Sequence, residues 1–125
     1  MDLLEIYADE EGETHFRRTE LDMELHNFAP PSKPINISKE LPSTSSMIVV
    51  APPGWDDAFH PTPRKQLATP IYGSVTVQAT DGETVRLEAG NIILLNDQDS
   101  KGHLTQVLGT QDAAVLLVGL QDAEP

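Results

Sequence analysis

Short apolar runs separated by glycine and proline are the feature that most constrains the fold of this chain. Such runs occur from residue 45 onward, and from residue 74 they recur at intervals of about 8–12 residues, a spacing typical of strands in sandwiches and barrels. They cover residues 47–50, 74–78, 84–87, 91–95, 103–108 and 113–120. No stretch combines a helical period with capping residues. The sequence therefore predicts an all-β chain.

Two tight turns are predicted from glycine. Asp81-Gly82 lies between two segments of alternating apolar and polar residues, and Asp-Gly is the strongest short-range signal for a β-hairpin. Within residues 1–27, Gly12 separates two further apolar runs. A second strand pair is therefore predicted near the start of the chain.

A proline-rich segment follows at residues 28–44, with Pro30, Pro31, Pro34 and Pro42. Proline fixes φ and has no amide hydrogen to donate to a ladder, so repeated proline predicts an extended connector. A chain of 125 residues has the size of one domain. We therefore expect one domain, in which residues 1–44 form N-terminal strands and the connector, residues 45–120 the main β unit, and residues 121–125 an acidic tail.

The charge balance restricts the partners. Asp and Glu number 20 against 8 Lys and Arg, which gives a net charge of −12. Nucleic acids and anionic membranes are bound through Lys and Arg, so neither is an expected partner. Cysteine is absent, which excludes disulfides and thiolate chemistry. The acidic start lacks a signal-peptide pattern and no apolar run reaches membrane-spanning length, so we expect a cytoplasmic protein.

The candidate site lies in a fixed spacing of polar residues. Gly54 is followed by five residues, His60, Thr62, Gln66 and, after six more residues, Gly73. Alternate residues of a strand point to the same face, so His60, Thr62 and Gln66 can line one cavity.

A second histidine follows in the segment Lys101-Gly102-His103-Leu104-Thr105. Because an apolar run follows it, we expect His103 to reach the same cavity from another strand. Each residue also has a structural alternative. His60 could be a strand-end histidine bonded to a backbone carbonyl, Gln66 could satisfy a buried strand edge, and His103 could be a turn residue.

Residues 54–73 resemble the first conserved motif of the cupin superfamily, in which Gly, His-x-His, Glu and Gly are spaced in this way. The first His of that motif falls on His60, the second on Thr62 and the Glu on Gln66. The His of the second cupin motif falls on His103. The chain is most similar to small, single-domain bacterial cupins with HPxPRxQ and GKGH segments.

The resemblance implies a jelly-roll β-barrel over residues 45–120 that encloses a small polar pocket. Cupins with the full ligand set hold a divalent ion such as Zn, Ni, Fe or Mn, and many are isomerases, lyases or oxygenases. Here the set is reduced to His60, Gln66 and His103. Two imidazoles and an amide oxygen bind a metal more weakly than three imidazoles and a carboxylate, so one metal ion and no metal both stay open.

Three further residues are candidates for ligand contact. Arg64 could pair with a substrate carboxylate, or it could be a surface cation beside acidic neighbours. Trp55 could form an aromatic wall of the pocket, and Tyr72 could donate a proton, although both could equally be packing residues.

Two classes of function remain. In the first, the protein is an enzyme in which His60 and His103, with Tyr72, act on a small oxygen-bearing molecule such as a carboxylate, enol or sugar derivative. Either a metal polarises the substrate oxygen or a histidine moves a proton. In the second, the protein binds a ligand at Thr62, Arg64, Gln66 and Trp55 without turnover. The enzyme is slightly favoured.

A homodimer is expected as well. Cupins of this size are often dimers, and the N-terminal strands and the proline connector could add edge strands to a neighbouring subunit. Such pairing would also cover exposed sheet edges.

Overall fold

In the computed structural model, residues 1–121 are described, and the regular elements among them are all strands. The strands are β1 (Asp2–Ala8), β2 (Thr14–Glu20), β3 (Met23–His26), β4 (Ile35–Ser38), β5 (Ser43–Ala51), β6 (Gln66–Tyr72), β7 (Ser74–Ala79), β8 (Thr84–Glu88), β9 (Ile93–Asn96), β10 (His103–Val107) and β11 (Ala113–Leu120). No helix long and apolar enough to cross a membrane is present among these residues. The acidic tail predicted at 121–125 lies outside them, apart from Gln121.

The strands form two facing sheets and a separate hairpin. One sheet has six strands in the order β2-β1-β9-β6-β11-β5, and the other has three in the order β10-β7-β8. The pair β3 and β4 forms the hairpin. Every pairing is antiparallel except that of β1 with β9. The all-β prediction is confirmed, and the described strands do not close into a barrel.

The hydrophobic core lies between the two sheets. In β7 every second residue is buried, so Val75, Val77 and Ala79 face the six-stranded sheet. Ile6 of β1 and Ile93 of β9, which are 0% and 1% exposed, belong to the same core. At roughly 1.5–3 kcal/mol for each fully buried Val, Leu or Ile, this burial is the main term that holds the sheets together.

Both predicted hairpins are confirmed. The Asp81-Gly82 turn joins β7 to β8, and Gly82 has a positive φ of 95° that an L-residue rarely adopts. The segment around Gly12 joins β1 to β2.

The proline-rich connector is more structured than predicted, since it contains β4, which pairs with β3. Pro34 lies directly before β4 and Pro42 directly before β5. Proline is tolerated at a strand start because no ladder hydrogen bond is lost there. Repeated proline therefore marked the boundaries of short strands instead of excluding them.

An ionic contact ties the first turn of the chain to the β7–β8 turn. The imidazole of His15 contacts the Asp9 carboxylate through Nε2 at 2.8 Å and the Asp81 carboxylate through Nδ1 at 2.9 Å. Only the doubly protonated ring can donate at both nitrogens. These hydrogen bonds, that to Asp9 first, raise the pKa of His15 above its ordinary value of 6.5. The pKa of Asp9 is lowered from 3.8, mainly by the hydrogen bond from His15.

This contact makes stability depend on pH. Because the pKa of His15 is raised on folding, its contribution is fully present below pH 6.5 and is lost as the pH rises through the raised value. Because the pKa of Asp9 is lowered, its contribution is present above 3.8 and is lost as the pH falls through the lowered value.

In the wild type, the free energy of unfolding is expected to decline above pH 6.5 as His15 loses its proton. We predict that the substitution His15→Gln removes this part of the decline. The free energy of unfolding, measured by urea denaturation between pH 5 and 9, checks this. Asp81→Asn, which keeps one of the two carboxylates, is expected to give an intermediate decline. Parallel pH profiles for wild type and His15→Gln would contradict the prediction.

Candidate functional site

A cavity lies between the two sheets. Its volume is about 420 Å³, and most of its lining is apolar side chains from both sheets. Five polar residues contribute to the lining: His60, Thr62, Gln66, His103 and Thr105. Apolar walls with a few placed polar groups are typical of small-molecule sites, whose volumes run from about 300 to 1,000 Å³.

The two histidines are joined through the backbone. His60 donates its N–H to the His103 carbonyl, and His103 donates its N–H to the His60 carbonyl, each at 3.0 Å. This isolated bridge attaches the loop that carries His60 to the start of β10. The ring centroids lie 5.1 Å apart at an interplanar angle of 54°. Both histidines line the cavity, and His60 does so from a loop and not from the strand predicted for it.

Glycine at position 102 allows this approach. Its φ is +84°, and a Cβ atom placed there would lie 2.1 Å from the carbonyl carbon of His60. No side chain fits in that space, because real Cβ contacts under 3.0 Å are essentially never seen. Gly102 therefore determines how closely His60 and His103 can pair.

His103 is held by a buried carboxylate. Its Nδ1 lies 2.6 Å from Oδ2 of Asp97, and the two residues are 4% and 0% exposed. The other carboxylate oxygen of Asp97 accepts the N–H of Thr62 at 3.3 Å. Since a carboxylate only accepts, Nδ1 is the donor in this contact, and in the neutral ring Nε2 then presents its lone pair. In the described part of the chain Nε2 makes no hydrogen bond, so it is the nitrogen available to a ligand.

His60 has a carboxylate partner of its own. Its Nε2 lies 2.9 Å from Oδ2 of Asp56, and the same oxygen accepts the N–H of Thr105 at 3.0 Å. The Nδ1 atom is 3.4 Å from the Pro61 carbonyl. The His60 side chain is 43% exposed, so it lies at the rim of the cavity. Both of its nitrogens are thus directed at protein oxygens.

Thr62 and Gln66 form a buried chain of hydrogen bonds. Gln66 donates from Nε2 to Thr62 Oγ1 at 3.1 Å, and Thr62 donates from Oγ1 to the Arg64 carbonyl at 2.7 Å. The hydroxyl of Thr62 is therefore engaged within the protein. The Gln66 nitrogen is used in this contact, and its Oε1 accepts no hydrogen bond within residues 1–121, so this oxygen is free to accept one from a ligand.

The other sequence candidates lie in different surroundings. Trp55 lines the cavity and meets the His60 ring edge-on at 6.1 Å. The Arg64 guanidinium donates to the Ser45 hydroxyl at 2.9 Å, and Arg64 is not among the residues lining the cavity. The structure therefore brings together five of the seven predicted residues: Trp55, His60, Thr62, Gln66 and His103.

Tyr72 also lies outside this group, although strand alternation would put it on the same face of β6 as the buried residues Gln66 and Ala68. It is 52% exposed and does not line the cavity. The register between β6 and β11 shifts between Ala114 and Val115, directly beside it. A β-bulge at this point re-aims side chains at the end of the strand.

Asp56 and Asp97 were not singled out by sequence reasoning. Asp56 lies four residues before His60, and Asp97 lies six before His103. In both segments an acidic residue lies a few positions before a candidate histidine. This recurrence is the signal that could have identified the two aspartates. Neither aspartate lies in a helix or strand, so only the folded loops bring the partners together.

The donor set does not match the metal site that the cupin resemblance implies. No group of three or more His, Cys, Asp or Glu side chains within residues 1–121 is arranged to hold an ion. Both aspartates are hydrogen-bonded to histidines, and both nitrogens of His60 are directed at protein oxygens. One imidazole nitrogen of His103 and one amide oxygen of Gln66 remain, fewer than the three protein ligands typical of catalytic zinc.

Comparison of the sequence with protein-family models and with curated proteins gives no match. The chemistry of the site is therefore derived from its geometry: an apolar cavity, a carboxylate-bound histidine with one nitrogen free, and a glutamine amide that lines the same cavity.

We predict that Gly102→Ala destabilises the fold more than Gly109→Ala. Both glycines have positive φ, but a Cβ at Gly109 meets nothing within 4 Å. The control therefore carries only the cost of left-handed φ, about 1–2 kcal/mol. At Gly102 the backbone of His60 must also move, which adds roughly 1–3 kcal/mol. Chemical denaturation measures both values, and equal losses would show that the close approach is unimportant.

Proposed function

We propose that this protein binds a small, neutral, mainly apolar molecule that carries a hydroxyl group, in the cavity between its two sheets. The observation that carries the proposal is the buried His103–Asp97 pair, which leaves one acceptor nitrogen at a largely apolar cavity. A phenol, an enol or an apolar alcohol matches this arrangement.

The lining supports an apolar ligand. Side chains such as Val77, Leu95 and Val115 make up most of the wall, with contributions from both sheets. Each methylene group transferred from water into such surroundings contributes about 0.8 kcal/mol. The ligand's hydrocarbon part thus supplies most of the affinity, and the polar residues determine its orientation.

The polar groups of the cavity favour a hydroxyl over a carboxylate as the polar group of the ligand. Nε2 of His103 and Oε1 of Gln66 are both acceptors, so they pair with a hydrogen-bond donor. Two carboxylates, those of Asp56 and Asp97, lie directly behind the histidines. The chain also has a net charge of −12. An anionic ligand would meet like charges, whereas a neutral hydroxyl would not.

A second candidate function is catalysis at the same group, and the Asp97 contact favours it. A carboxylate at Nδ1 orients the ring and stabilises the imidazolium that forms when Nε2 accepts a proton. In an isomerase or lyase, the proton of the bound hydroxyl or enol would pass to Nε2, and the electron pair would remain on the substrate oxygen. A binding protein would use the same nitrogen only as an acceptor.

The arrangement of strands supports a cupin-like jelly roll over residues 45–120. With the His60 bridge counted as a further strand, the orders are β5-β11-β6-β9 in one sheet and bridge-β10-β7-β8 in the other. In each sheet, strands from residues 43–79 alternate with strands from residues 84–120. Two interleaved Greek keys produce this alternation.

We predict that 2-naphthol binds to the purified protein and that 2-methoxynaphthalene and 2-naphthoate bind more weakly. The methoxy compound lacks the donor, and the naphthoate carries a negative charge. Loss of one hydrogen bond within the cavity corresponds to roughly a tenfold weaker affinity. Ligand fluorescence or calorimetry measures the three dissociation constants.

Variants locate the binding. His103→Gln is expected to lower the affinity for 2-naphthol. His15→Gln, which alters a histidine outside the cavity, is expected to leave this affinity unchanged. Equal affinity for all three compounds would contradict the proposed recognition. Binding of 2-naphthol only after addition of Zn²⁺ or Ni²⁺ would instead favour a metal-dependent site.

We predict that Asp97→Asn reverses the preference between donor and acceptor ligands. The Thr62 N–H needs an acceptor, so the Asn carbonyl oxygen stays beside it and the amide nitrogen faces Nδ1 of His103. Nδ1 must then accept, which moves the ring proton to Nε2. The affinity for 2-methoxynaphthalene should rise relative to 2-naphthol by roughly tenfold. An unchanged ratio would show that Asp97 does not set the tautomer.

A further inference from the structure

The six-stranded sheet has two edges of opposite character. One edge is β2, with the sequence THFRRTE, and its charged side chains oppose pairing with another sheet. The other edge is β5, with the sequence STSSMIVVA, which contains no charge. Nine residues long, it leaves a row of backbone N–H and C=O groups without a ladder partner in the described chain. Natural proteins rarely leave such an edge uncovered.

The strand β5 also exposes apolar side chains on both of its faces. Met47 and Val49 are 46% and 37% exposed on one face, and Ile48 and Val50 are 63% and 55% exposed on the other. A continuous apolar run is typical of a strand that is buried on both sides. Nothing within residues 1–121 covers either face fully, so both faces are open to a partner surface.

The β3–β4 hairpin is a second uncovered apolar element. It exposes Leu25, Phe28 and Ile35 at 66%, 66% and 50%. Apart from the pairing of its two strands, it makes no substantial contact with any other strand of the described chain. A two-stranded hairpin is only marginally stable by itself, so its apolar side chains need a partner surface.

We propose that the partner is a second copy of this chain, and that the β5 strands of the two copies pair antiparallel across a two-fold axis. Such an interface is self-complementary, because the same free edge supplies both strands. Each copy has a net charge of −12, which opposes association elsewhere on the surface. Residues 41–55 form an uncharged stretch that contains β5, so two copies can meet there without facing like charges.

The same dimer also positions the β3–β4 hairpin against the partner copy. Residues 39–42 connect β4 directly to the start of β5. In antiparallel pairing, the start of one β5 lies beside the end of the other. The hairpin of one copy therefore reaches the end of β5 in the second copy, where Val50, Ala51 and Trp55 line the rim of the cavity. The dimer thus closes one side of the ligand cavity.

The oligomeric state of the full chain without ligand tests this inference, so its outcome is independent of the proposed ligand. Light scattering at micromolar concentration is expected to give twice the mass of the chain. Ile48→Lys should raise the dimer dissociation constant by roughly 100-fold or more, because it introduces two buried charges at a two-fold interface. Since Ile48 is 63% exposed in the single chain, its substitution leaves the monomer folded.

Two further variants and one further measurement complete the test. Leu25→Lys in the hairpin should also weaken the dimer, and it keeps the test valid if Ile48→Lys fails to fold. Ile92→Lys is the matched control, since Ile92 is 38% exposed but lies before β9, away from β5, and this variant should remain dimeric. Amide hydrogen exchange should show protection of residues 43–51 in the wild type that is lost in Ile48→Lys.

The following results would overturn the inference: a wild-type monomer at micromolar concentration, a dimer that withstands both lysine substitutions at β5 and the hairpin, or open-ended assemblies that grow with concentration. A complex with a different protein in place of the dimer would overturn it as well, because the edge would then serve another partner.

Discussion

The pair of backbone hydrogen bonds between His60 and His103 is the interaction on which the rest of the site depends. They fix a loop without regular structure to the start of a strand and set the two imidazole rings 5.1 Å apart. Each ring brings its own carboxylate, Asp56 or Asp97. The bridge therefore places two polar pairs next to one apolar cavity, and the low dielectric around the buried His103–Asp97 pair strengthens its hydrogen bond.

The strands could be predicted from the sequence, but the site only in part. Strand periodicity is local, so alternation and Asp-Gly turns predicted the hairpins. The same reasoning assigned His60, Thr62 and Gln66 to one strand face, but His60 and Thr62 lie on the loop before β6. The carboxylate partners could not be predicted from local periodicity. Asp97 meets His103 only because the intervening loop turns back, and Tyr72, beside a register shift between β6 and β11, does not line the cavity. Such features depend on contacts between distant segments.

The cavity lies within the hydrophobic core itself. Ile6 is fully buried and does not line the cavity, whereas Val77 and Ile93 belong to the core and line the cavity as well. The lining also includes Ala68 and Ala113, whose side chains are small. Stability and ligand binding thus depend on many of the same side chains.

The parallel pairing of β1 with β9 has a consequence for how the chain folds. Residues 4–7 find their partners at residues 93–96, which lie near the opposite end of the sequence. Because β1 precedes β9 in the chain, it is synthesised well before its neighbour on that side of the sheet exists. Contacts of such long sequence separation slow folding, because loop closure precedes any gain from the contact. The β1–β2 hairpin is thus made before β9 and docks on the sheet only after β9 is in place.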